Sequence, residues 1–370
     1  MKKIAAIIPY VYLPSNTGGQ KLIAGFYECL GKKTELYAFS LPQNDASLVT
    51  TYSLQPFLKN RRIRYIDTFL FYRVKKFITQ NKIEYLIIEH PYMGWLGWLL
   101  KKTCGIKLIV HTHNIEYQRF RSIGKWWWRI LKLYEGWVLR RADHVFCITR
   151  EDQEGMIKHL KISPRKSVHI PYGINLENAP TDKIATKESL YKELQINKDT
   201  TILFFNGLLS YYPNKKAVDL ILNEINPLLL QTNLRYEILI AGKNLPEQYK
   251  QLRPWNDKHV RYLGFVDDID RYTKAADVLL NPVMSGGGVK TKMIEALGLN
   301  TAVVSTETGA AGVSREVCGD KLLVVKDNDW KQFTESVLKA ASNKNATIPE
   351  AFYKQFSWKG IIEKVLKFIE

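Results

Sequence analysis

Residues 277–306 read DVLLNPVMSGGGVKTKMIEALGLNTAVVST. A short apolar β-type run, three consecutive glycines, a helical segment and a second β-type run follow one another without a break. Apolar runs bounded by turn residues mark strands buried on both faces, as in a parallel sheet covered by helices. Glycine costs roughly 0.5–1 kcal/mol relative to alanine wherever regular structure is wanted, so a triple run at the end of a strand needs a cause. Taken alone, the stretch also fits an irregular turn with solvated lysines.

Read as a site, it fits an anion. Successive N–H groups at a helix start form a nest for negative charge, aided by the helix dipole. Lys290 opens the helix and Lys292 follows within its first turn. Cations there oppose the dipole slightly, whereas their charge-assisted bonds to a phosphate each return roughly 1.5–3 kcal/mol. Glu295 cannot bind phosphate, but a carboxylate accepts two hydrogen bonds from the vicinal hydroxyls of a ribose. Gly286, Gly287, Gly288, Val289, Lys290, Lys292 and Glu295 together describe a seat for a nucleoside diphosphate. No GxxxxGK[ST] loop occurs, and no GxGxxG follows the first strand.

The strand–helix rhythm extends in both directions. The first half offers IAAIIP, TELYAFSL, IEYLIIEH, IKLIVHTH, DHVFCIT and SVHIPYG as strands, with helical stretches at 72–82 and 125–141. The second half offers TILFFNG, RYEILIAGK, VRYLGF, DVLLNP, TAVVST and KLLVV. This predicts an α/β protein of two successive Rossmann-like, doubly wound parallel-sheet domains, as 370 residues also imply. The polar stretch after HIPYGIN places the boundary near Asn175, giving domains 1–175 and 176–350, with 351–370 an amphipathic helix in need of a partner surface. Ligands in such folds bind beyond the carboxyl ends of the strands. There the chain places Gly18 and Gly19, then His111, His113 and Asn114, then Gly207, Gly242 and Gly264.

Charge is uneven: residues 1–170 carry 28 Lys and Arg against 12 Asp and Glu, and the remainder 26 against 24. The first half is therefore expected to face something anionic. Four scattered cysteines without CxxC spacing suit reduced thiols in a cytoplasmic protein. The opening MKKIAAIIPYVYLP reads as a buried strand rather than a leader, and no run of 18 apolar residues predicts a spanning helix.

As an ordered set, SNTGGQK, VHTHN, IPYGIN, FNGLLSYYPNKKAV, IAGKN, YLGFVDDIDRYTKAADVLLNP and GGGVKTKMIEALGLNTAVVSTETGAAG resemble the retaining glycosyltransferases of the GT-B fold, glycosyltransferase family 4. The resemblance implies two Rossmann-like domains facing a central cleft, a nucleotide sugar on the carboxyl-terminal domain, an acceptor on the amino-terminal domain, and a final helix crossing back onto the latter. It also implies hexosyl transfer without a metal or resident cofactor, from a UDP- or GDP-linked sugar to a glycan or lipid-linked acceptor of cell-surface polysaccharide or lipopolysaccharide synthesis. Glu295 matches the second glutamate of the family's E-x7-E motif. The first is replaced by Gly287, so backbone N–H groups take over sugar contacts and the donor sugar is left open. The usual basic pair after Gly207 is also absent, which makes Lys290 and Lys292 the diphosphate partners, with Lys215 in reserve. His113 matches the histidine beside the sugar, Gly18 and Gly19 the loop near diphosphate and acceptor, and the loop from Gly264 to Val266 the contact to the base. His113, Lys290 and Glu295 are thus the expected catalytic residues. Fixed donors aimed at a departing diphosphate are worth about 2.7–4 kcal/mol each, and same-face attack requires no dedicated base.

Other signals are weaker. Asp268 and Asp270 form a DxD of the kind that holds a metal, but Asp267 and Asp268 also suit a helix N-cap. Glu116 and His111 fit structural hydrogen bonding as well as a site. In RFRSIGKWWWRILKLYEGWVLRRAD, one helical face takes Trp127, Ile130, Leu131, Tyr134, Trp137 and Val138 into the core. It leaves Lys125, Trp126, Trp128, Arg129, Lys132 and Arg140 for an anionic lipid surface, giving peripheral contact on the inner face of the membrane. A basic nucleic-acid-binding protein and a nucleotide-binding relative without turnover are the rival readings.

Overall fold

A computed structural model describes residues 1–370 except Asn16 and Gly287. The chain divides into two compact units, Met1–Asn175 with Trp358–Glu370, and Leu176–Ser357. Each is a parallel sheet wrapped by helices.

The first unit's strands are β1 (Lys3–Ile8), β2 (Glu35–Ser40), β3 (Ser53–Gln55), β4 (Tyr85–Glu89), β5 (Lys107–Thr112), β6 (His144–Cys147) and β7 (Ser167–His169). They form one sheet in the order β3-β2-β1-β4-β5-β6-β7, every pairing parallel. Short β3, at the sheet edge and only half-buried, carries no apolar run long enough to be read from the sequence. Its helices are α1 (Gly18–Gly31), α2 (Phe69–Asn81), α3 (Gly94–Cys104), α4 (Glu116–Ser122), α5 (Trp128–Arg141) and α6 (Arg150–Leu160). In β1, Ala5 and Ile7 join the core beneath α2, α3, α5 and α6; Ile4, Ala6 and Ile8 point the other way and are equally buried. Both faces being covered accounts for strands that lack polar alternation.

The second unit's sheet runs β10-β9-β8-β11-β12-β13, again all parallel. Its strands are β8 (Thr201–Asn206), β9 (Tyr236–Ala241), β10 (Val260–Gly264), β11 (Val278–Asn281), β12 (Ala302–Thr306) and β13 (Leu322–Val325). Its helices are α7 (Lys183–Leu194), α8 (Tyr212–Leu220), α9 (Asn226–Leu229), α10 (Ile269–Ala275), α11 (Thr291–Gly298), α12 (Arg315–Cys318), α13 (Trp330–Ser342) and α14 (Glu350–Phe356).

The last helix, α15 (Trp358–Phe368), belongs to the first unit and packs on α1. Trp358 fixes it there. A Cβ on Gly25 would come within 2.4 Å of its indole, and so would one on Gly173, so both glycines are needed for the ring to fit. Phe26 meets the same indole edge-on, and the Tyr85 hydroxyl donates to the Ile369 carbonyl at the far end of the segment.

Helix α5 sits differently from its sequence reading. Leu131, Glu135, Val138 and Leu139 are buried, whereas Ile130 is 62% exposed. The apolar face is rotated because Glu135 turns inward, accepting the Glu116 and Tyr117 N–H groups that open α4 (2.9 and 3.0 Å). Burial pushes its carboxyl up to about 7.

Candidate functional site

In the second unit the glycines after β8, β9 and β10 form a stepped floor. Gly242 N–H donates to the Gly264 carbonyl (2.7 Å) and Gly207 N–H to the Ala241 carbonyl (3.1 Å). Gly207 and Gly242 have φ of 154° and 152°, and a Cβ on Gly242 would lie 1.9 Å from the Gly207 carbonyl oxygen, so no other residue fits there. Lys243 lies over the Phe265 ring (3.8 Å), next to half-buried Val266. A cavity of about 630 Å³ opens beside this floor, lined by Asn244, Lys250, Arg253 and Tyr262 among others.

The glycine-rich turn precedes α11. Gly286 and Gly288 take φ of 88° and 73°; Gly287 lies outside the described residues. The Lys290 ammonium donates to the Gly286 and Gly288 carbonyls (2.6 and 3.2 Å), cross-bracing the turn. The Lys292 ammonium donates to the Asn206 carbonyl (3.0 Å) and Asn214 Oδ1 (3.2 Å) and rests 4.0 Å over the Phe205 ring. Among the described residues no carboxylate pairs with Lys292. Burial, reinforced by the neighbouring Lys290 charge, therefore lowers it to about 7. Burial lowers Lys290 as well. Val289 and Glu295 are half-buried, Glu295 one turn beyond Lys292 on the same helix face. Gly286 lies against Pro213 and Tyr211 at the start of α8, which also carries Asn214 and Lys215. The structure thus brings Gly207, Gly286, Gly288, Lys290 and Lys292 onto one rim. The Asp268 carboxylate accepts the Arg271 N–H (2.9 Å) as the cap of α10.

In the first unit, Gly18 and Gly19 form the opening turn of α1, and a Cβ on Gly19 would meet nothing within 4 Å. Further along the same helix, the Tyr27 hydroxyl donates to Glu89 Oε1 (2.6 Å). Fully buried Glu89, ending β4, also accepts from His111 Nδ1 (3.0 Å) on that oxygen and from His113 Nε2 (2.6 Å) on the other. Burial alone would push its carboxyl up, but the two histidines hold it well below the usual carboxylate range. His113, desolvated and next to His90, falls to about 4. It is neutral near pH 7, with its proton on Nε2 and Nδ1 left as an acceptor.

A second pair stands beside the first: His90 Nδ1 bonds Glu116 Oε1 (3.0 Å), and Tyr92 donates to the other oxygen. The His90 and His113 ring centroids are 4.2 Å apart. His90 has φ 62° and ψ 162°, a region nearly confined to glycine that costs about 1–3 kcal/mol and concentrates at functional sites. Glu89, His111 and His113 bring one ligand-capable atom each within 4.8 Å of one another, a donor set that also suits a divalent metal. Sequence reading missed Glu89 and His90. Their signal was present in IEYLIIEH, where a buried strand closes on a charged pair level with the HTH of its neighbour.

Two parallel doubly wound sheets in one chain, each with a polar carboxyl rim, define a class. HepE from Anabaena, solved in complex with UDP, matches with a TM-score of 0.72 over 100% of this chain and 99% of its own, at 14% identity. The fold is GT-B. Residues 28–178 match the family model described as Glycosyltransferase Family 4, and residues 200–343 that described as Glycosyl transferases group 1. The chain belongs to these family 4 glycosyltransferases of GT-B type. Among curated relatives it is 24% identical over 284 residues to the UDP-Gal:alpha-D-GlcNAc-diphosphoundecaprenol alpha-1,3-galactosyltransferase of Escherichia coli, across 73% of this chain and 69% of that one. It is 26% identical over 146 residues to the phosphatidyl-myo-inositol mannosyltransferase of Mycobacterium leprae, across 39% of this chain and 36% of that one. No helix of the described residues is long and apolar enough to cross a membrane.

Proposed function

We propose that the protein is a retaining, metal-independent hexosyltransferase. It moves a sugar from a UDP- or GDP-linked donor to a lipid-linked or glycan acceptor in cell-surface polysaccharide or lipopolysaccharide synthesis, and it works at the cytoplasmic face of the membrane. The observation that carries this reading is the placement of two ammonium groups at the start of α11, Lys290 against the Gly286 and Gly288 carbonyls and buried Lys292 against the Asn206 carbonyl and Asn214. Among the described residues Lys292 has no carboxylate partner, and a diphosphate placed beside both lysines supplies the counter-charge. The named acceptors and donors of the relatives, an undecaprenol diphosphate and UDP among them, support the choice of substrates.

In this reading the diphosphate lies on Lys290, Lys292 and the N–H groups of Gly286, Gly287, Gly288 and Val289. Glu295 accepts the ribose hydroxyls, and Gly207, Gly242, Gly264 and Val266 admit the nucleoside against main chain. As the sugar–phosphate bond breaks, the lysines stabilise charge on the leaving diphosphate, and its oxygen takes the acceptor's proton during same-face attack. Neutral His113 presents Nδ1 to a sugar hydroxyl. Gly18 and Gly19 let the acceptor approach α1.

Calorimetry with UDP and uridine tests the assignment. Lys290→Ala weakens UDP by about 10- to 150-fold, the equivalent of one charge-assisted bond, and leaves uridine nearly unchanged; Glu295→Ala weakens both. Equal losses for the two ligands in Lys290→Ala would contradict it. Turnover of a nucleotide sugar after dialysis against EDTA separates this enzyme from a metal-dependent one and from a nucleotide-binding relative without turnover.

A further inference from the structure

Two exposed apolar clusters lie on one face of the first unit. Ile63, Ile66, Phe69 and Tyr72 are 52–74% exposed, around the start of α2. Ile123, Trp126, Ile130 and Leu133 are 57–81% exposed, on α5 and the turn before it. The two belong to a single layer. Helix α3 packs against both α2 and α5. The Trp95 indole N–H on α3 donates to the Tyr65 carbonyl (2.6 Å). The Trp95 backbone N–H donates to the Tyr134 hydroxyl of α5 (3.1 Å), which in turn donates to the Tyr92 carbonyl (3.0 Å). In a parallel α/β layer these helix starts all lie at the carboxyl rim of the sheet, the rim that carries Glu89, His90 and His113.

Charge frames both clusters. Residues 59–76 hold seven Lys and Arg against one acid, Asp67, which is already paired with Lys59 at 2.8 Å. Residues 117–134 hold five Lys and Arg and no acid, and the two acids that flank them, Glu116 and Glu135, are buried. Several of these cations sit over aromatic rings: Arg121 and Arg129 over Trp128, Arg64 over Tyr65, Arg73 over Phe57.

The geometry points to an anionic lipid bilayer as the occupant of this face, with the two clusters inserted at the headgroup boundary and the cations at the lipid phosphates. Charge complementarity selects a negative partner. Side-chain type selects among negative partners: five of the eight exposed residues are aliphatic, and bases stack on rings rather than on isoleucine or leucine. Aliphatic and indole side chains set among Lys and Arg stems suit the interface between headgroups and acyl chains. This deepens the proposed function, resting on its membrane partner, and adds the surface: both clusters sit on the same rim as His113, so docking sets that rim beside lipid-linked acceptors.

The full chain is sedimented with vesicles of phosphatidylglycerol mixed into phosphatidylcholine, with pure phosphatidylcholine vesicles, and with a single-stranded oligonucleotide. The expected result is binding to the anionic vesicles alone, weakened at high salt. In the variant Ile66→Ser, Phe69→Ser, Trp126→Ser, Ile130→Ser the vesicle affinity falls by about tenfold or more, and UDP affinity, measured by calorimetry, is unchanged. Lys125→Glu with Arg129→Glu, which spares the apolar residues, weakens vesicle binding likewise. Wild-type binding to the oligonucleotide but not to vesicles, equal binding to both vesicle types, or undiminished vesicle binding by either variant would overturn the proposal. Failure of wild type to bind UDP would instead strike the transferase reading and leave the vesicle result standing.

Discussion

Lys292 allows the nucleotide seat to be tested through protons. Its ammonium has two neutral acceptors and an aromatic face and is lowered to about 7. A diphosphate placed beside it restores the missing counter-charge and raises it again. At pH 8 the free protein then holds about a tenth of a proton at this site and the complex a full one, so UDP binding takes up about 0.9 proton. Above pH 7 the affinity falls as the free lysine deprotonates, by about 50-fold between pH 7 and pH 9. UDP's own terminal phosphate, with a pKa near 6, is already ionised across that range and adds no slope. Titration calorimetry at pH 8 in buffers of different ionisation enthalpy measures the uptake directly. Lys292→Met keeps the stem and removes the ammonium, so its UDP binding becomes weaker and independent of buffer. The sign for stability is also set. A lysine depressed in the folded state leaves the unfolded chain binding more protons between pH 7 and 10.5, so stability rises with pH through that window. Lys292→Met removes this contribution and stabilises the free protein at pH 7. Buffer-independent enthalpy in the wild type, with affinity flat from pH 7 to 9, would refute the reasoning.

Three further outcomes follow from the first unit. Glu89→Gln replaces an acceptor of three hydrogen bonds by a group with one acceptor and one donor end, forcing a histidine to change tautomer. We expect transfer to fall and the ¹⁵N shifts of His113 to report protonation at Nδ1; unchanged shifts would remove Glu89 as the group that orients the ring. His113 is depressed from 6.5 to about 4, so the unfolded chain binds the extra proton and stability falls by about 3 kcal/mol as pH drops from 6.5 to 4. Urea titrations should show this slope in the wild type and not in His113→Asn, with the two running parallel above pH 6.5. Trp358→Ala empties the space between Gly25 and Gly173 and costs about 3–5 kcal/mol, read as a lower urea midpoint; a loss under 1 kcal/mol would show that α15 is not anchored by its indole.

Among the described residues, twelve of the thirteen strands were legible because buried parallel strands are written as short apolar runs, and β3 was not because an edge strand of three residues, none of them buried, leaves no such mark. The second unit's rim was legible for a related reason. Backbone that must take φ near 150° at Gly207 and Gly242, or bend tightly at Gly286 and Gly288, admits only glycine, and glycine is visible in a sequence. The first unit's rim was less so. His113 could be named, but the carboxylate that orients it comes from the neighbouring strand, 24 positions earlier, and only the pairing of β4 with β5 brings the two together. Helix α5 shows the same limit. Periodicity gave a helix, yet the inward turn of Glu135 to cap α4 rotated its apolar face and exposed Ile130, a tertiary demand with no local signature.

The central claim is that the turn before α11 and the two lysines beyond it hold a diphosphate. A crystal structure of the UDP complex measures this most directly. The account predicts diphosphate oxygens within hydrogen-bond distance of both the Lys290 and Lys292 ammonium groups, and ribose hydroxyls on Glu295. UDP bound elsewhere, with the two lysines still donating to the carbonyls of Gly286, Gly288 and Asn206, would contradict it.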